Sequence, residues 1–166
     1  MSGEPRDQLV KYLRDAYAME QQSQKMLQAA VQVAGDPDIS QTYRGHLGET
    51  KEHIHMLGER LEAYGESPSA LKDLAAKAGA LGLGGTLVAS PDTPAKLAAV
   101  AYGYENLEVA AYELLRRLAE RAGDEETVAI ADRILAQERS AVEKVSWSFD
   151  RVVELSIKEE AGAAHG

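Results

Sequence analysis

The chain has 166 residues, enough for one domain with a sizeable buried core. With 45% apolar and 27% charged residues it is neither a disordered segment nor a membrane-spanning one, and the low aromatic content of 5% favours helix over sheet. A formal net charge of −9 argues against nucleic acid as a partner, and the lack of cysteine excludes disulfides, thiolate metal sites, iron–sulfur clusters and cysteine nucleophiles.

No apolar leader follows Met1. The most apolar run, Leu74 to Ala89, is broken by Lys77 and several glycines and is too short to span a bilayer. A cytoplasmic protein without membrane contact is expected.

Taken in chain order, residues about 6–34 are predicted as a first helix on a stripe of Leu9, Leu13, Ala16, Tyr17, Leu27 and Val31. Gly35-Asp-Pro-Asp ends it. Ser40 is the expected N-cap of a second helix that carries Tyr43, Leu47, Ile54, Leu57 and Leu61 and stops between Tyr64 and Gly65. The two form an antiparallel hairpin. Residues 66–92 read as a crossover, with a short helix from Ser67-Pro-Ser-Ala to about Ala80. Gly82, Gly84, Gly85 and the turn-rich Ser90-Pro-Asp-Thr-Pro94 follow. A third helix spans about 93–122 and stops at Gly123-Asp124. The fourth begins near Glu125 on Ala131, Ile134, Leu135, Ala141, Val142, Val145, Phe149 and Val152. It either continues to about residue 160 or breaks near Ser146-Trp-Ser, and a frayed tail follows.

The two halves resemble each other. Ala16-Tyr-Ala-Met-Glu20 matches Ala101-Tyr-Gly-Tyr-Glu105. Each copy continues to a stop, Ala34-Gly-Asp36 or Ala122-Gly-Asp124, and Glu49 and Glu138 stand at nearly equal distances beyond it. One helical hairpin used twice would supply a glutamate from each of four helices.

Three of these glutamates face inward. Glu138 lies at the centre of its apolar stripe, and Glu20 and Glu105 are flanked in the same way, with Glu108 sharing the face of Glu105. The second helix is less tidy: His46 and His53 fall about 55–75° from its apolar centre, with Glu49 farther out on the flank. Glu52, His55 and His165 are expected in solvent, and Tyr17 and Tyr102 in core packing. An isolated buried carboxylate costs several kcal/mol, so four of them become tolerable together when a cation neutralises them. His53 is kept as a candidate ligand, and whether His46 or Glu52 joins the site is left open.

Leu13-Arg-Asp-Ala-Tyr-Ala-Met-Glu20, His46-Leu-Gly-Glu-Thr50, Pro91-Asp-Thr-Pro94, Tyr104-Glu-Asn-Leu-Glu-Val-Ala-Ala-Tyr112 and Ala136-Gln-Glu-Arg139 together resemble the ferritin-like YciE/YciF-type family of bacterial stress proteins. That resemblance implies an all-α, ferritin-like four-helix bundle with a long crossover and a di-iron or di-manganese site. The general scheme takes a Glu from two helices and Glu-x-x-His from the other two. Here Glu52 stands three residues after Glu49, with histidine one later at His53, and Ala141 stands three after Glu138. Glu105-x-x-Glu108 is similar to the paired carboxylates of rubrerythrin-like helices and fills the vacancy. The implied ligands are Glu20, Glu49, His53, Glu105, Glu108 and Glu138, with Glu49 and Glu138 as bridges. So carboxylate-rich a set favours Fe or Mn over Zn.

The function this implies is a ferroxidase or peroxide-consuming oxidoreductase of the stress response, acting on metal ions and O2 or peroxide; helix faces left exposed point to a homodimer. The competing reading is a structural or interaction bundle that keeps the fold without the chemistry. A third, iron storage, needs a large shell.

Overall fold

The computed structural model describes residues 4–80 and 93–163. Six helices fill them: α1 (Glu4–Val33), α2 (Pro37–Ala63), α3 (Pro68–Ala80), α4 (Pro94–Ala122), α5 (Glu125–Trp147) and α6 (Phe149–Ala163). Gly82, Gly84, Gly85, residues 90–92 of the predicted junction and His165 lie outside the described residues. No helix among those described is long and apolar enough to cross a membrane.

Two antiparallel hairpins, α1–α2 and α4–α5, pack into a four-helix bundle, α1 against α4 and α2 against α5. α3 lies on α1 within the crossover, and α6 folds back onto α4.

The four long helices share one pattern of burial. On α1 the buried positions Leu9, Leu13, Ala16, Glu20, Ser23, Leu27 and Ala30 alternate by four and three residues. On α2 the same alternation runs through Tyr43, His46, Thr50, His53 and Leu57, and on α5 through Thr127, Ala131, Ile134, Glu138, Ala141 and Val145. On α4 it takes in Ala98, Ala101, Glu105, Glu108, Tyr112, Leu115 and Ala119. Such a 3.5-residue period keeps one seam of each helix on its partners along the whole bundle.

Apolar side chains fill the two ends of that seam. One cluster gathers Leu9, Leu13, Leu57, Leu61, Leu71, Leu115 and Ile134; the other gathers Leu27, Ala30, Ile39, Tyr43, Leu97 and Val145. Each fully buried Leu or Ile stabilises the bundle by roughly 1.5–3 kcal/mol. Between the clusters the same seam carries Glu20, Ser23, His46, Thr50, His53, Glu105, Glu108 and Glu138. The polar residues are therefore held at mid-bundle by greasy layers on both sides.

Caps set the register. Gly35, at φ 70°, ends the first helix in the left-handed region that only glycine enters freely. Asp36, not Ser40, caps α2: its carboxylate accepts from the amides of Asp38 at 2.9 Å and Ile39 at 3.3 Å, with Pro37 in the first turn. Ser40 lies inside the helix, and its hydroxyl donates to the Val31 carbonyl at 2.9 Å, tying α2 back to α1. Thr93 caps α4 through the Lys96 amide. The fourth predicted helix divides at Ser148, where the hydroxyls of Ser146 and Ser148 donate to the carbonyls of Glu143 and Val145 and compete with the helical ladder.

Asp124 is the strongest single lock. It caps α5 through the Thr127 amide at 3.0 Å, and it accepts from Arg60 Nη2 at 2.6 Å and Tyr64 Oη at 2.6 Å, both on the last turn of the first hairpin. Burial alone would raise its carboxyl, but Arg60, Thr127 and Tyr64 hold it well below the usual range. Asp124→Ala removes the cap and one of the carboxylate partners of Arg60, which keeps Glu126 and the Thr127 hydroxyl. Urea unfolding should show a loss of about 2 kcal/mol, from the cap and the lost hydrogen bonds. A loss below about 1 kcal/mol would show that the two hairpins are held in register by apolar packing alone.

Candidate metal centre

Each long helix brings polar groups to the middle layer. α1 contributes Glu20, α2 contributes His46 and His53, α4 contributes Glu105 and Glu108, and α5 contributes Glu138; all are buried. Glu138 lies at the centre. One of its oxygens is 3.3 Å from His46 Nε2 and the other 3.1 Å from His53 Nδ1.

His46 Nε2 also donates to Glu105 at 2.8 Å, and its Nδ1 faces Glu49 at 2.9 Å. His53 Nδ1 faces Glu20 at 3.2 Å, while its Nε2 meets the amide oxygen of Gln137 at 2.9 Å. Both nitrogens of both rings thus meet oxygen acceptors, which calls for the doubly protonated imidazolium. Burial alone would lower the two histidines. Hydrogen bonds to Glu105, Glu138 and Glu49 instead raise His46 to about 12, and contacts with Glu138 and Glu20 raise His53 to about 10.

The carboxylates divide accordingly. Burial would raise Glu138, yet the two imidazoliums hold it well below its ordinary value. Glu105 is raised to about 7, by burial first, and Glu108 lies well above 4.5 because it is buried among Glu20, Glu138 and Glu105. Glu20 is raised by burial despite its contact with His53. Tyr112, wholly buried, donates to Glu20 at 2.5 Å. Tyr104 donates to the Met19 carbonyl at 2.9 Å.

Two sets of ligand atoms come together, each within 4.8 Å of one another: His46, Glu105, Glu108 and Glu138, and beside them Glu20, His53 and Glu138. Glu138 belongs to both. Glu20 Oε2, Glu105 Oε1 and both oxygens of Glu108 are buried without a hydrogen-bond partner. Unpaired buried carboxylate oxygens of this kind suit hard divalent cations, which take oxygen and imidazole ligands. The two sets offer only carboxylate and imidazole donors to such a cation.

Of the six residues predicted as ligands, the structure brings together Glu20, His53, Glu105, Glu108 and Glu138. Glu49 stays apart from both sets. Its side chain is 28% exposed and reaches the cluster only through His46, so the position expected of a bridge is that of a buttress. His46, left open on the sequence, belongs to the first set. Glu52 is exposed and pairs with Arg133, and His55 is exposed beside Glu59. Tyr17 packs in the core, but Tyr102 lies at the surface, edge-on to Phe149. Gln137 gave no sequence signal, because it is an ordinary partly exposed position on a helix. The repeat also pairs differently from its stop signals. Glu20 and His53 are 33 residues apart, and Glu105 and Glu138 have the same separation, so the counterpart of Glu138 is His53 rather than Glu49.

Fold and site together define a ferritin-like helical bundle with a buried carboxylate and histidine cluster. The chain belongs to the family described as a domain of unknown function, DUF892, whose sequence profile matches residues 4–157. This agrees with the YciE/YciF-type resemblance. The fold is similar to that of a protein from Xanthomonas campestris pv. campestris, 28% identical, with a TM-score of 0.78 over 95% of this chain and 99% of that one. It is also similar to YcfI from Rhodopseudomonas palustris, 29% identical, with a TM-score of 0.68 over 86% and 92% of the two chains. The E. coli stress protein YciF shares the fold at 23% identity, with a TM-score of 0.69 over 90% and 97%.

The cluster makes stability depend on pH when no metal is bound. The stability contributed by His46 and His53 is full below their ordinary value of 6.5 and is lost as the pH climbs through about 10 for His53 and about 12 for His46. Glu105 acts with the same sign, from 4.5 up through about 7. Chelator-treated protein should therefore melt progressively lower from neutral pH to pH 10, by several degrees, in a series of thermal scans. A melting temperature that stays level over that range would contradict protonated histidines in the core.

Proposed function

We propose that the chain is a dinuclear carboxylate metalloprotein that holds iron or manganese within the bundle and serves as a ferroxidase or peroxide-consuming protein. The observation that carries this reading is Glu108, wholly buried with neither oxygen paired, beside a Glu138 common to two ligand sets. A carboxyl placed so has the neighbouring Glu105 carboxyl beside it and, among the described residues, no cationic partner of its own. It gains a great deal from a cation.

In this reading His46, Glu105 and Glu108 hold one ion, Glu20 and His53 hold the other, and Glu138 spans both. Metal ions so placed supply Lewis acidity and redox change to a small oxygen species. The rest is done by the chain. Glu49 and Gln137 orient the two imidazoles from outside, Tyr112 orients Glu20, and the apolar clusters at either end keep bulk water from the layer. The protons on His46 and His53 must leave as metal enters, so uptake releases protons and strengthens with pH.

A second reading is supported by the same two imidazoliums, which already neutralise the carboxylates without metal. It describes a structural or interaction bundle. One experiment separates the two. Purified without chelator and titrated with Fe(II) or Mn(II), a metalloprotein gains about 2.7 kcal/mol of stability at a hundredfold excess over Kd and melts correspondingly higher. It also oxidises Fe(II) faster than a variant carrying Glu20→Ala and Glu138→Ala. If no metal binds above background, the melting temperature does not move and the variant oxidises iron equally well, the structural reading stands.

A further inference from the structure

Two hydroxyls in the polar layer have no role in the ligand sets. Ser23 and Thr50 are fully buried, and neither side-chain oxygen has a hydrogen-bond partner. Inside a helix such a hydroxyl has a ready acceptor in the carbonyl one turn back. Elsewhere in this chain the option is taken: Thr42 donates to the Asp38 carbonyl at 3.1 Å and Ser156 to that of Val152 at 2.8 Å. Ser23 and Thr50 leave it unused. A buried hydroxyl left unpaired is costly, and the backward bond would avoid that cost.

Their places on the seam show what they face. Ser23 is the buried position that follows Glu20 on α1, and Thr50 stands between His46 and His53 on α2. The two helices run antiparallel, and Glu20 meets His53 at 3.2 Å. Three residues onward along α1 and three back along α2 bring Ser23 and Thr50 level with each other, on the faces that carry the ligands. Hydroxyls there are uncharged and can both donate and accept. They suit a small oxygen or nitrogen ligand better than a divalent ion, which the neighbouring carboxylates outcompete them for.

We propose that Ser23 and Thr50 form a hydrogen-bonding seat for a small exogenous ligand of the metal centre, holding water at rest and a peroxide-sized anion in its place. The inference rests on the metal-binding reading and adds to it which residues receive the oxidant.

Azide is the probe. Wild-type protein and a double variant, Ser23→Ala with Thr50→Val, are loaded with Fe(III), their iron content is measured, and azide is titrated while its charge-transfer absorption is followed. Valine keeps the shape of threonine without the hydroxyl. Equal iron content with azide bound about tenfold more weakly by the variant is the expected result, since two hydrogen bonds of ordinary strength are lost. Thr50→Ser alone should retain wild-type azide affinity, and the chelated double variant should melt no lower than wild type. Equal azide affinity in two iron-loaded proteins overturns the seat and leaves the metal site intact. Loss of iron from the double variant, or a lower melting temperature without metal, also overturns it, because the hydroxyls then serve the metal or the protein. Failure of the wild type to take up iron removes the metal-binding reading and the seat with it.

Discussion

Everything in this bundle is arranged around one carboxylate. Glu138 lies in the middle of the core, within 3.3 Å of His46 and 3.1 Å of His53, and belongs to both sets of converging ligand atoms. Taking such a group out of water costs several kcal/mol. The chain meets that cost with two imidazoliums drawn from α2. Around them burial raises Glu105 to about 7 and Glu108 well above its ordinary value, which lessens the negative charge of the layer without a metal ion. Both oxygens of Glu108 are buried in the same layer without a hydrogen-bond partner.

Holding charges at one level demands a frame that cannot slip. The 3.5-residue seam supplies it, with leucines and isoleucine packed at one end and Leu27, Ile39, Leu97 and Val145 at the other. Shifting a helix by one turn would drive an acidic side chain into an apolar layer. Asp36 and Asp124 pin the starts of α2 and α5, and the Arg60–Asp124 contact ties the hairpins together far from the chemistry. The apolar core and the caps thus fix the site's geometry.

The inward glutamates were legible in the sequence because each is surrounded by apolar residues that fix the direction of the core. Glu138 and Glu20 could hardly face elsewhere. His46 was not legible, for a geometric reason. The apolar centre of α2 was drawn through Ile54 at 100° per residue, whereas the helix follows a heptad through Tyr43, His46, Thr50, His53 and Leu57. Those two periods drift apart by about 20° per heptad, and over α2 that moves a buried histidine to the edge of the wheel. Ser23 and Thr50 escaped notice because small polar residues look alike on either face. Ser40 outranked Asp36 as a cap only because the turn was drawn too long, and Glu49 was matched to Glu138 by counting from stop signals rather than along the seam. Fold class, hairpin order and crossover carried over from sequence to structure because they depend on composition and stop signals, which tolerate errors of a few residues.

The central claim is that the carboxylates and histidines of the middle layer are ligands. Anomalous diffraction from crystals grown with Mn(II) or Fe(II), collected at the metal's absorption edge, tests it most directly. Two peaks about 3.5–4 Å apart on either side of Glu138 are predicted, one among His46, Glu105 and Glu108 and the other between Glu20 and His53. A map without peaks there, with His46 and His53 still paired to Glu138 at full metal concentration, would contradict the account.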